Sequence, residues 1–221
     1  MAAETYIDLS HIIEDGLVTY KGLPAPVICD YLSREASRAL YEEGTEFQIG
    51  KIEMVSNTGT YIDTPFHRYA DGKDLSEMEL TAFAGLDGIV IRATEQQPAI
   101  DEQVFHGRNL QGRAVLVHSG WDRHWNTEQY FENAPYLTEA AAAYLRNQGA
   151  VLVGIDSFNI DDTSGKSRPV HSLLLREGIP IVEHLCNLQH LPEEGFTFYA
   201  VPPKIRNIGT FPVRAFAVTT K

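Results

Sequence analysis

A carboxylate and an imidazole four residues apart, Asp63 and His67, stand on either side of Pro65 in the stretch Asn57-Thr58-Gly59-Thr60-Tyr61-Ile62-Asp63-Thr64-Pro65-Phe66-His67. Such a carboxylate can hold a metal or orient the ring, and such an imidazole can move protons near neutral pH. Taken alone, the string reads equally as an Asx-type turn followed by a histidine that caps a loop. A second pair lies far downstream: His171, opening the helix-like run 172–178, and Glu183, ending the strand-like Pro180-Ile181-Val182-Glu183. A histidine at a helix start and a glutamate at the end of the following strand can face one site, which suits a mixed imidazole and carboxylate metal shell.

Several elements must position these groups. Pro65 argues against a regular helix through Asp63 and His67, so the pair converges only if the loop folds back on itself. Residues 47–55 alternate apolar and polar, the period-2 mark of a half-buried strand, and deliver the stretch; Gly59 gives it backbone freedom. Before it come a short strand at 6–10, a surface loop at 17–26 that carries Tyr20, and a brief helix or excursion at 33–44. His11, after the first strand, reads as a structural hydrogen bonder. Beyond His67, Arg68 begins a turn-rich loop, and Leu75, Met78 and Leu80 have helical spacing. Residues 87–93 and 113–121 are strands by β-branched enrichment, with a helix-and-loop connection between them. Thr138 caps a helix at 139–148 that Gly149 ends, and 150–156 is an apolar, buried strand. Two strands, 196–205 and 212–218, are joined by a turn at Gly209. Alternating strands and helices indicate the α/β class.

The 221 residues read as one domain, 1–221, with no linker. A net charge of −12 without any basic run excludes nucleic acid and anionic membranes as partners. The first residues lack the basic and apolar regions of a signal peptide, and no apolar stretch reaches the ~20 residues of a membrane span, so a cytoplasmic protein is expected. Cys29 and Cys186 form no Cys-x-x-Cys pattern and are expected reduced and packed. Around Ser157 the Gly-x-Ser-x-Gly elbow is missing, and neither a dinucleotide fingerprint nor a P-loop occurs.

The central stretch resembles the signature of the cyclase-like metal-dependent hydrolases, the family of bacterial kynurenine formamidase and isatin hydrolase, which reads His-x-Gly-Thr-His-x-Asp-x-Pro-x-His. Gly59, Thr60, Asp63, Pro65 and His67 match in register, whereas Asn57 and Tyr61 replace its first two histidines. The likeness extends to the opening Asp-Leu-Ser-His, to His171, to the Glu-x-Leu-x-Asn-Leu run from Glu183, and to the C-terminal strands.

This resemblance implies a swivelling β/β/α-type α/β fold, assembled as a homodimer or larger, that hydrolyses amide-like C–N bonds of a small molecule. His67 would be general acid and base with Glu183 in the catalytic set. Asp63, His171 and Glu183 would hold at most one divalent ion, zinc or manganese, because the two missing histidines ligate the second. Tyr20, Asn57, Tyr61 and Arg68 would face the substrate. Two other readings stay open: a lyase, hydratase or cyclase that binds no metal and works by acid and base through Tyr61, His67 and Glu183, and a catalytically silent binder of a small ligand.

Overall fold

Short runs of Val, Ile and Leu punctuated by glycine favour strands over helices. The computed structural model describes residues 3–93 and 98–220, which form β1 (Glu4–Asp8), β2 (Val27–Leu32), α1 (Arg34–Ser37), β3 (Ile49–Glu53), β4 (Tyr61–Asp63), β5 (Leu86–Arg92), β6 (Ala99–Ile100), β7 (Ala114–His118), β8 (Tyr136–Leu137), α2 (Glu139–Asn147), β9 (Leu152–Ile155), α3 (Pro169–Arg176), β10 (Ile181–Glu183), β11 (Phe196–Tyr199), β12 (Thr210–Pro212) and β13 (Phe216–Thr220). Most strands join one mixed sheet in the order β1-β13-β11-β5-β7-β9-β10-β4-β12; β2 with β3 and β6 with β8 make two small sheets. This is the α/β class that the sequence indicates.

Parallel β5, β7, β9 and β10 are apolar on both faces because both are covered. One face packs Val115, Val153 and Ile181 against Leu145 of α2 and Val170 and Leu174 of α3. The other buries Ile62, Leu116, Val182 and Phe198. Helix α2 forms as its caps dictate: the Thr138 hydroxyl accepts from the Ala141 amide at 3.1 Å, and Gly149 ends the helix at φ +77°.

Four expectations are corrected. Residues 75–83 form no α-helix, only a 3-10 turn at Leu80–Ala82, because the Asp74 carboxylate accepts the amides of Ser76, Glu77 and Asn207 and fixes a turn instead. Gly209 is not a hairpin turn: β12 pairs with β4 at one edge of the sheet, and it is β13 that pairs with β11. Strand β3 alternates as expected but is exposed along its whole length, since among the described residues it pairs with β2 alone. Cys186 is buried, but Cys29, on β2, is exposed. Between β5 and β7, residues 94–97 lie outside the described ones; the rest of that connection holds β6 and a 3-10 turn at Glu102–Phe105. Among the described residues no helix is long and apolar enough to cross a membrane.

Candidate active site

Antiparallel register assembles half of the site. Strand β4 lies between β10 and β12, with Tyr61 opposite Glu183 and Asp63 opposite both Ile181 and Thr210. Directly opposed residues share a face, and residues two apart on a strand do so too. Tyr61, Asp63, Glu183 and Thr210 therefore project to the side on which α3 packs. The Tyr61 hydroxyl donates to Glu183 Oε2 at 2.5 Å, and the Ile160 amide donates to Glu183 Oε1 at 2.6 Å. Thr210 donates to Asp63 Oδ1 and lies 2.7 Å from His67 Nδ1.

Pro65 starts a single 3-10 turn, Pro65–His67, in which the His67 amide donates to Thr64 O at 2.9 Å. The turn folds the imidazole back over the strand end, so that His67 Nδ1 is 3.6 Å from Asp63 Oδ1. Asp63 is fully buried, whereas the His67 side chain keeps 33% exposure and lines a cavity of about 440 Å³.

Helix α3 brings His171. Arg168 at its N-cap offers no side-chain acceptor, and Asp161 caps the helix instead, taking the Val170 amide at 2.8 Å and the His171 amide at 3.0 Å. The same carboxylate accepts His171 Nδ1–H at 2.6 Å, which turns Nε2 toward Asp63 Oδ2 at 3.6 Å and Glu183 Oε1 at 3.7 Å. Burial alone would lower the His171 pKa, but Asp161, Asp63 and Glu183 outweigh it and hold the ring charged well above its ordinary range. Burial raises Glu183 above the usual carboxylate range, against the pull of His171 and with Asp63 adding to it.

This donor set fits a divalent cation. Three carboxylates surround one imidazole in the interior, and Asp63 Oδ2 is buried with no hydrogen-bond partner among the described residues, a costly state that a cation relieves. Separations of 3.6 and 3.7 Å are too long for hydrogen bonds but suit donors that share one ion at ~2.1 Å. Among the described residues, the ligand atoms that lie within 4.8 Å of one another belong to Asp63, His67 and His171. Glu183, expected third in the metal set, stands outside that group, although its Oε1 is 3.7 Å from His171 Nε2; Tyr61 and Ile160 donate to its two oxygens.

The cavity gathers His67, His171 and Glu183 with all four residues expected to face a substrate. Tyr20 donates to Phe158 O at 3.1 Å and accepts from the Asn159 amide group; Asn57 is half-buried in the wall. Tyr61 is buried with its hydroxyl committed to Glu183. Arg68 stands at the rim, its Nε donating to Ser172 Oγ at 3.2 Å. Lys166 and Arg168 join it there, although no site role is expected for either from the sequence, and Asp161 and Thr210 join deeper in the site. A carboxylate shortly before a helix that lacks an N-cap acceptor was the one signal available for Asp161. His11 lies elsewhere, stacked on Trp125 at 4.0 Å, and burial lowers its pKa to about 4 despite the nearby Asp122.

Residues 7–162 match the model of a protein family named Cyclase. The chain is 31% identical over 173 residues to a kynurenine formamidase of Geobacillus thermodenitrificans, spanning 78% of this chain and 81% of that one. With a kynurenine formamidase of Bacillus cytotoxicus the identity is 29% over 218 residues, spanning 97% and 98%. The fold superimposes on isatin hydrolase A from Labrenzia aggregata, solved with benzyl benzoate, at a TM-score of 0.82 and 21% identity over 99% of this chain and 94% of that one.

Proposed function

The chain belongs to the cyclase family, and on that premise we propose that it hydrolyses an amide-like C–N bond of a small anionic molecule. The observation that carries this reading is the buried cluster of Asp63, His171 and Glu183 beside an imidazole, His67, that opens on a cavity of about 440 Å³. Relatives named as kynurenine formamidases supply the bond class. His67 Nε2, which has no partner among the described residues, takes a proton from the attacking water. As the new C–O bond forms and the C–N bond breaks, the ring returns that proton to the leaving nitrogen, so acid and amine depart with no net change on the enzyme. A zinc or manganese ion held by Asp63 and His171, with His67 or Glu183 beside them, would supply Lewis acidity toward the carbonyl and lower the pKa of water. Glu183, with its raised pKa, is a further proton store in the same cavity.

Arg68, Lys166 and Arg168 support the anionic substrate, since none of them is ion-paired among the described residues although the chain carries a net charge of −12. Release of amine from a panel of N-formyl and N-acyl arylamines, with and without a carboxylate, tests the reading; no turnover across the panel would remove it. For an acidic substrate, Arg68→Ala is expected to raise KM about 5- to 10-fold at unchanged kcat, and to leave the neutral ester of that substrate unaffected. An equal effect on acid and ester would take Arg68 out of substrate binding.

One observation favours a second reading. The 2.5 Å contact from Tyr61 to Glu183 is a ready proton path beside His67, as a lyase or hydratase without metal would need.

The ribbon of β2 and β3 supports a homo-oligomer. Both strands are exposed, with Val27, Ile28, Tyr31, Ile49 and Ile52 open to solvent. An isolated two-stranded ribbon is marginal in water, so a second copy is the cover proposed for it. Sedimentation is expected to give a dimer or tetramer that Ile28→Asp with Ile52→Asp dissociates; a monomeric parent protein would rule the arm out as an interface. A cytoplasmic site of action, with both thiols reduced, completes the proposal.

A further inference from the structure

We infer that Thr210 is the positioning residue of the His67 base: its hydroxyl bridges the ring to Asp63 and fixes the tautomer that leaves Nε2 unprotonated and facing the cavity. A hydroxyl has one proton and two lone pairs. Thr210 Oγ1 contacts two groups, Asp63 Oδ1 and His67 Nδ1, the latter at 2.7 Å. Toward a carboxylate the hydroxyl must donate, so toward the ring it must accept, and His67 carries its proton on Nδ1. Asp63 cannot do this directly, because Oδ1 is 3.6 Å from Nδ1.

The fold is shaped for this bridge. Thr210 is 2% exposed and sits opposite Asp63 in the pairing of β12 with β4. The preceding Gly209 lets β12 press onto the His67 turn: a Cβ there would lie 2.1 Å from the His67 nitrogen and 2.6 Å from its Cα, both main-chain atoms that cannot move aside. Gly209 O accepts from the Thr64 amide at 2.7 Å and the Thr64 hydroxyl at 3.0 Å. One strand end thus holds the main chain of the turn through Gly209 and its ring through Thr210. When Nε2 gains a proton, the imidazolium keeps the same Nδ1–H bond, so neither ring nor hydroxyl has to reorient.

The inference rests on the role proposed for His67, but the tautomer can be read without any substrate. In 15N spectra of the protein as purified and after chelator treatment, with His67 assigned through His67→Gln, the unprotonated nitrogen is expected to be Nε2. Thr210→Val keeps the β-branched shape but removes the bridge, and should shift His67 toward the Nε2–H form; Thr210→Ser should retain the parent spectrum. If a substrate is in hand, Thr210→Val should lower kcat about 10- to 100-fold with KM little changed, and Thr210→Ser should recover most of it. An Nε2–H ring in the parent protein would overturn the inference, even if the valine variant failed to fold. So would a valine variant with the parent's tautomer and kcat. The predicted tautomer in a protein without hydrolase activity would instead overturn only the functional reading.

Discussion

Replacing His67 by alanine is expected to lower kcat by about 10²–10⁴ while leaving the melting temperature little changed. The stability half of this expectation follows from position. The side chain is one-third exposed, its ring makes a single hydrogen bond among the described residues, and the turn that carries it is held by main-chain contacts of Thr64, Pro65 and Gly209. The rate half follows from the free Nε2 at the cavity wall. Because His67 also converges with Asp63 and His171, loss of rate alone would not separate a base from a ligand. Metal content of parent and variant does so: a slow variant that binds metal as the parent does has lost a proton carrier, whereas one that no longer binds metal has lost a donor. Wild-type turnover in the alanine variant would remove His67 from the chemistry.

Much of the fold, and the turn that carries His67, were legible in the sequence because their logic is local. Proline between Asp63 and His67 forced a turn, Thr138 and Gly149 bounded α2, β-branched runs marked β5 and β7, and an apolar run marked β9. What the sequence hid was pairing. Alternation in β3 told which side chains share a face and nothing about whether a neighbour covers it, so an exposed ribbon looked like a half-buried strand. The helical spacing of Leu75, Met78 and Leu80 lost to the Asp74 carboxylate, whose four donors include the distant Asn207 amide. Thr210 carried no signal at all, since its meaning comes from a register with Asp63 on a strand far away in the chain. Asp161 carried a faint one: a loop aspartate shortly before a helix without an N-cap acceptor, which α3 uses as a cap and His171 as a partner.

The substitutions at Asn57 and Tyr61 bear on metal content, where the largest change is expected. Wild-type protein should bind at most one divalent ion per chain, and Asn57→His combined with Tyr61→His should bind two. Tyr61 cannot serve as a ligand as it stands: burial, together with Glu183, Tyr20 and Asp63, raises its pKa well above 10, so the phenol keeps its proton. That proton is donated to Glu183 Oε2, which occupies one oxygen of the carboxylate that two ions would share and leaves Oε1 on the His171 side. Asn57 offers a neutral amide, a poor zinc ligand. The remaining donors, Asp63 and His171 with His67 or Glu183 beside them, suffice for one ion with open positions for water. Its affinity should fall with acidity, because the charged His171 must release a proton before Nε2 can bind. In the double variant both imidazoles replace the missing donors, and Glu183 Oε2 is freed at the same stroke. Calorimetric titration of chelator-stripped protein with zinc and with manganese measures both stoichiometries. Two ions in the wild-type chain would refute the ligand count, while none at millimolar metal would move the acid–base reading without metal, through Tyr61, His67 and Glu183, into first place.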